Sequence, residues 1–204
     1  MPIPLSNIEN FMKLLHSVQR VKRLSRRPNE SEETNTAEHT FEVVMLSWYV
    51  ASVSNRKLNF EKVLKYALAH DLIEAYAGDT FIYDTEGQKD KYEREMAAVE
   101  TLRSNFTGFP ELIEIITEYE KRNDEESRFV YAIDKLVDPL NLSMTTDNSL
   151  WKEYGITYQQ VRDYKDKKIA ADSTVQNFWE GFTHKLEEDL PGYFLTGKAN
   201  GPTK

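Results

Sequence analysis

Apolar residues recur at steps of three and four along most of the chain, and this period constrains the fold more than any other feature of the sequence. A 3.6-residue repeat buries one stripe of a helix, whereas the two-residue alternation of half-buried strands, with its turn signals, is missing. Ile8, Phe11, Met12, Leu15, Val18 and Val21 place such a stripe on a first helix from Ile8 to Lys22. After the polar break "RRPNESEETNT", Asn35 followed by Glu38 resembles a helix start with its capping partner. The segment it opens, "AEHTFEVVMLSWYVASVS", is apolar nearly all round and belongs in a core. Asn59 can cap the next helix, which runs through Val63, Leu64, Ala67 and Leu68 to a stop at Gly78. Further helical patterns cover Lys91 to Ser104, Pro110 to Lys121, Glu125 to Leu142, Tyr158 to Ile169 and Ser173 to Leu186. The expected fold is all-α. The 204 residues suffice for one sizeable core, and no Pro/Gly/Ser-rich linker divides them, so residues 1–190 are expected to form a single domain. The end, "TGKANGPTK", marks 191–204 as a mobile tail.

Against this apolar background several polar residues stand out. His70, Asp71 and Glu74 lie on the helix that ends at Gly78, with His70 and Glu74 four apart and so on one face. Asp79 follows the stop and can turn back over the same cavity. His39 sits in the first turn of the apolar helix, and Asp134 interrupts "FVYAIDKLVDPL". Imidazole and carboxylate groups are costly to bury unless hydrogen-bonded or bound to a metal. Taken singly, His39 reads as a satisfied core histidine and Asp134 as a salt-bridged carboxylate; it is the ordered set that points to a metal site.

Composition removes other chemistries. The chain has no cysteine, which excludes disulfides, thiolate metal sites and a cysteine nucleophile. A formal net charge of -8 repels a polyanion, so a nucleic-acid polymer is not an expected partner. No apolar run approaches membrane-spanning length, and "MPIPLSNIENFMKLL" lacks the basic and apolar regions of a secretion signal. The expected location is cytoplasmic, without a membrane partner.

In order and approximate spacing, "AEHTFEVVM", "ALAHDLIEAYAGD" and "AIDKLVD" resemble the H…HD…D pattern of the HD-domain metal-dependent phosphohydrolases, and within them the compact branch that includes the 5′-deoxynucleotidases. The resemblance covers about residues 8 to 145. It implies a compact helical bundle, one divalent ion held by His39, His70, Asp71 and Asp134, and hydrolysis of a nucleoside monophosphate. The branch often carries a proline-containing stretch after its Gly-Asp, where this chain has "GDTFIYDTEGQ". Two imidazoles and two carboxylates suit manganese, cobalt or iron better than magnesium, with zinc or nickel able to occupy the site in crystals. Glu74, on the His70 face yet outside the ligand pattern, fits a base or water-orienting group. The resemblance places Asp79 at a sugar hydroxyl.

A phosphate also needs a cation. "RVKRLSRR", residues 20 to 27, holds five basic side chains. A solvated helix end with favourable C-terminal charge accounts equally well for Arg20 and Lys22. Arg26 lines up with a phosphate-reaching arginine of the branch and ranks first, Arg23 second. The leading expectation is a 5′-nucleotidase for deoxyribonucleoside monophosphates. A nucleoside triphosphate hydrolase with the same metal site and a non-enzymatic nucleotide-sensing module are the alternatives. The aromatic surplus and family habit together suggest a homodimer.

Overall fold

The computed structural model describes residues 3–28, 30–144 and 150–195. The chain runs α1 (Leu5–Val18), β1 (Lys22–Arg26), β2 (Glu33–Asn35), α2 (Thr36–Val53), α3 (Phe60–Ala69), α4 (Glu74–Ala77), α5 (Lys91–Asn105), α6 (Pro110–Lys121), α7 (Glu125–Ser143), α8 (Leu150–Glu153), α9 (Tyr158–Ile169), α10 (Ser173–Glu188) and α11 (Leu190–Tyr193). The fold is all-α apart from a small two-stranded ribbon.

Local chemistry sets many of the helix starts. The Asn35 side chain accepts from the Ala37 and Glu38 amides while Glu38 accepts from the Asn35 amide, the capping box read in the sequence. Asn59 accepts from the Lys62 amide, and Asp124, Thr157 and Asp172 cap α7, α9 and α10 in the same way. Helix α7 runs through the centre, with Phe129, Val130 and Ile133 fully buried, and it packs against α2, α3, α6, α9 and α10.

The apolar interior forms two clusters. One surrounds α7 and includes Val43, Val63, Tyr66, Ala67, Phe129, Ile133 and Trp179. The other joins α1, α5 and α6 through Leu14, Val18, Ala69, Leu72, Ile73, Leu102 and Ile116. Ala67 belongs to the first and Ala69 to the second, so the clusters meet where α3 ends.

Three expectations change. The first helix stops at Val18 rather than Lys22, and Lys22–Arg26 pairs antiparallel with Glu33–Asn35. Beyond Val18 only Val21 and Leu24 are apolar, so a longer helix would bury no stripe, and the backbone groups pair across the ribbon instead. The helix read as continuous to Gly78 breaks after Ala69 and resumes as α4. Finally, the packed chain continues past residue 190: Tyr193 and Phe194 are buried, and the Phe194 ring stacks on Trp151 with centroids 4.8 Å apart. Residues 196–204, the remainder of the expected tail, lie outside the described residues.

Candidate metal centre

The break after Ala69 builds the site. Beyond it the backbone winds with three-residue steps, Leu72 N–H to Ala69 O (3.2 Å), Glu74 N–H to Asp71 O (3.0 Å) and Tyr76 N–H to Ile73 O (3.0 Å). The His70 ring joins through Nδ1, 2.9 Å from the Ala67 carbonyl. A carbonyl only accepts, so Nδ1 carries a proton and Nε2 is the nitrogen that faces the site. The glutamate and histidine expected on one regular helical face are instead joined by this tightened turn. Gly78 then closes α4 at φ 74°, a left-handed backbone that suits glycine. Arg94 of α5 donates to Ala77 O, Thr80 Oγ1 and Gly87 O and so fixes the following loop, which carries Asp79.

His39, His70 and Asp71 converge at the seam of the two clusters, and Asp134 stands beside His39. One donor atom each from His39, His70 and Asp71 lies within 4.8 Å of the other two. His70 Nε2 is 3.1 Å and His39 Nε2 3.6 Å from Asp71 Oδ2, and His39 Nε2 is 3.1 Å from Asp134 Oδ1. Ligands bound at about 2.0–2.2 Å and separated by 90–110° stand roughly 3.0–3.5 Å apart, so His39, His70 and Asp71 fit a single ion. His70 Nε2 is buried without a hydrogen bond, the state of a nitrogen with a lone pair to give. Burial opposes charge on His70, yet Asp71 and Asp134 push its pKa up to about 9. A proton there stands in for the positive charge that this pocket demands, and a metal would displace it. Burial likewise opposes charge on Asp71 and Asp134, but His70 and Arg23 hold the first below the usual carboxylate range, and Lys135 and His39 hold the second well below it.

Glu74 lies beside this set and outside it. Thr36 Oγ1 donates to Glu74 Oε2 at 2.7 Å. Burial, then the Asp71 charge, raises the Glu74 carboxyl well above its ordinary value. Asp79 is raised too, chiefly by burial.

The structure places the two arginines differently. Arg23 enters the site, with Nη1 3.0 Å from Asp71, 3.5 Å from Asp79 and 3.6 Å from Glu74, and Nη2 3.4 Å from Asp138. Arg26, ranked first from the sequence, turns away and pairs with Glu153 at 2.7 Å. Residues three apart on a strand project to opposite faces, so the two side chains part.

Asp138 was missed. It lies one turn beyond Asp134 on α7, its Oδ1 3.8 Å from His39 Nδ1, and this i, i+4 spacing was its one sequence signal. Lys165 and Lys168 of α9 also line the cavity, which measures about 210 Å³, room for a phosphate as well as an ion. Nothing local in the sequence marked them. A smaller apolar chamber adjoins it, walled by Phe81, Tyr83, Trp151 and Ile156, and shares Arg23, Asp79, Asp138 and Lys165 with the main cavity.

Among curated proteins the chain is similar to 5′-deoxynucleotidase HDDC2 of Danio rerio, 27% identical over 139 residues that cover 65% of this chain and 66% of that protein. The HDDC2 of Xenopus laevis is 27% identical over 128 residues, 61% of this chain and 62% of that one. The matched region thus spans just under two thirds of these relatives' length. Among solved structures, a predicted metal-dependent phosphohydrolase from Magnetospirillum magnetotacticum MS-1 superposes with a TM-score of 0.79 at 26% identity, over 95% of this chain and 99% of that one. The HD domain family model matches residues 15–179 and takes in His39, His70, Asp71 and Asp134. Members of that family imply a divalent metal, which agrees with the donor set; this chain belongs to the HD domain family.

Proposed function

We propose that the chain is a metal-dependent phosphoric monoester hydrolase, a 5′-nucleotidase converting deoxyribonucleoside 5′-monophosphates to nucleoside and phosphate. The observation that carries the reading is the convergence of His39, His70 and Asp71, with Asp134 next to His39, beside Glu74, a buried carboxyl outside that group. The names of the curated relatives support the same substrate class.

In this reading His39, His70, Asp71 and Asp134 hold one divalent ion, with manganese, cobalt or iron suited better than magnesium. Bound there, such an ion supplies a water of lowered pKa and polarises the phosphoryl group. Glu74 accepts the proton of the attacking water. Thr36 and Arg23 both engage its Oε2, which leaves Oε1 for the water. A carboxyl held above its ordinary range is a better proton acceptor near neutrality. Asp79, at the join of cavity and chamber, takes a sugar hydroxyl, and the base rests among the chamber's aromatic side chains. Arg23 holds the carboxylates of the site together and oriented.

The protein works as a cytoplasmic homodimer in nucleotide metabolism. Phe41, Met45, Trp48, Tyr49 and Val53 leave an exposed apolar stripe along α2, which supports self-association. Among the described residues no helix is long and apolar enough to cross a membrane.

The test is to load the purified protein with manganese or cobalt and supply deoxynucleoside mono-, di- and triphosphates while measuring released phosphate, pyrophosphate and tripolyphosphate. Phosphate from monophosphates is expected. Tripolyphosphate from triphosphates would overturn the reading in favour of a triphosphate hydrolase, and binding without turnover would favour a sensing module.

A further inference from the structure

We infer that Lys165, with Lys168 three residues further along the same face of α9, holds the phosphate of the substrate against the metal centre. The inference rests on the phosphomonoesterase reading above and assigns its phosphate site to residues outside the basic segment at 20–27.

The argument begins with the cations already engaged. Arg23 is surrounded by four carboxylates and Arg26 is paired with Glu153. Lys135 lies 2.6 Å from Asp134, and Lys91 lies 3.6 Å from Glu95. Arg122 pairs with Glu120 and stacks on Tyr131 with 4.0 Å to the ring centroid. Two cations of the cavity wall remain. Among the described residues neither Lys165 nor Lys168 has a carboxylate within ion-pair distance or a hydrogen-bond partner for its ammonium; Lys168 Nζ lies 3.2 Å from the Tyr164 ring centroid instead.

Lys165 is only 5% exposed, yet it lines the same cavity as His70, Asp71 and Asp134. Confining an ammonium to a cavity screened from bulk water without a carboxylate partner is costly, and an anion in that cavity would offset the cost. Burial pushes the pKa of Lys165 down to about 8 and that of Lys168 to about 7, the direction expected of groups awaiting a counter-charge. Position selects the anion. Lys165 borders both the polar cavity and the apolar chamber, so it stands where a nucleotide laid across the two would place its phosphate ester. The competing role for Lys165 is a counter-charge for Asp138, whose Oδ1 lacks a hydrogen bond.

The experiment uses full-length, manganese-loaded wild type, Lys165→Met, Lys165→Arg and Lys168→Met. Calorimetric titration with inorganic phosphate and with a deoxynucleoside is run beside steady-state kinetics on a deoxynucleoside monophosphate. Hydrogen bonds to charged groups are worth enough that losing one weakens phosphate about tenfold or more. Lys165→Met is therefore expected to weaken phosphate and raise KM by that factor, with the loss falling on KM more than on kcat. Deoxynucleoside affinity and metal content should hold, Lys165→Arg should recover part of the phosphate affinity, and Lys168→Met should show a smaller loss. Wild-type phosphate affinity in Lys165→Met would overturn the inference, as would a drop in stability with phosphate affinity intact, which is the Asp138 role. If Lys165→Met does not fold, Lys168→Met decides: undiminished phosphate affinity overturns the inference. Lysine-dependent phosphate binding in a protein that hydrolyses no monophosphate would uphold this site and remove the nucleotidase reading instead.

Discussion

Arg23→Met removes the one guanidinium that faces Asp71, Glu74, Asp79 and Asp138 together, all within 3.6 Å. The Arg23 side chain is 11% exposed, so its contacts are poorly screened by solvent. Breaking a buried ion pair from one side costs about 3–5 kcal/mol, because the other charge stays behind unpaired. Four charges do not multiply that figure here. The Glu74 and Asp79 carboxyls are already raised, chiefly by burial, and can take up protons once the guanidinium is gone. For a chain of this length 1 kcal/mol shifts Tm by about 2–4 °C, which gives an expected drop of roughly 6–20 °C. The assay is thermal unfolding of metal-free protein at pH 7.5 and pH 5.5. In the variant the unpaired carboxyls have folded pKa values above their unfolded ones, so their contribution is fully present at low pH and lost as pH rises. In the wild type the lowered Asp71 keeps its contribution at both pH values, because that contribution is lost only as pH falls below the unfolded carboxylate range. The trend in the variant therefore narrows the difference between the proteins on acidification. A variant within about 2 °C of wild type at both pH values, or a difference that widens at pH 5.5, would refute the assignment of Arg23 as the charge that holds these carboxylates together.

Two further expectations concern the centre itself. Glu74→Gln should keep the bound ion and the substrate affinity while the saturating rate falls about 10²–10⁴-fold, measured together with metal content on one preparation; an unchanged rate or a lost ion would assign Glu74 a structural role. His39→Ala and His70→Ala should bind no ion, so added manganese should raise the Tm of the wild type and leave both variants unmoved, and a response from either variant would remove that histidine from the ligand set.

Much of this architecture was legible because it is written in local chemistry. The capping signals at Asn35 and Asn59 act within three residues, and the stripes on α5, α6, α7, α9 and α10 repeat within a turn, so sequence alone located them. His39 and Asp134 were legible for the opposite reason, as polar residues where the period calls for apolar ones. What escaped depends on distance or on local competition. The ribbon exists only because 22–26 meets 33–35, and no pattern inside "KRLSR" announces the partner. The break at His70 arises because its ring takes the Ala67 carbonyl and the following amides bond in three-residue steps, an outcome that apolar periodicity does not register. The different placement of Arg23 and Arg26 follows from the ribbon, since residues three apart on a strand face opposite ways. Lys165 reaches the cavity from α9, and only tertiary packing brings it there.

The meeting of the two apolar clusters at the end of α3 also bears on how the molecule opens. His39 and Asp134 extend from the cluster around α7, while the turn at His70 and Asp71 leads directly into the cluster shared with α1, α5 and α6. The polar seam therefore lies where two apolar clusters meet, although α6 contributes to both. Such a seam is the natural plane for sub-global unfolding, in which one cluster loosens while the other keeps its amide protection. Filling the centre would weld the clusters into one cooperative unit, so that ligation at a few atoms governs the exchange behaviour of helices far from the ion.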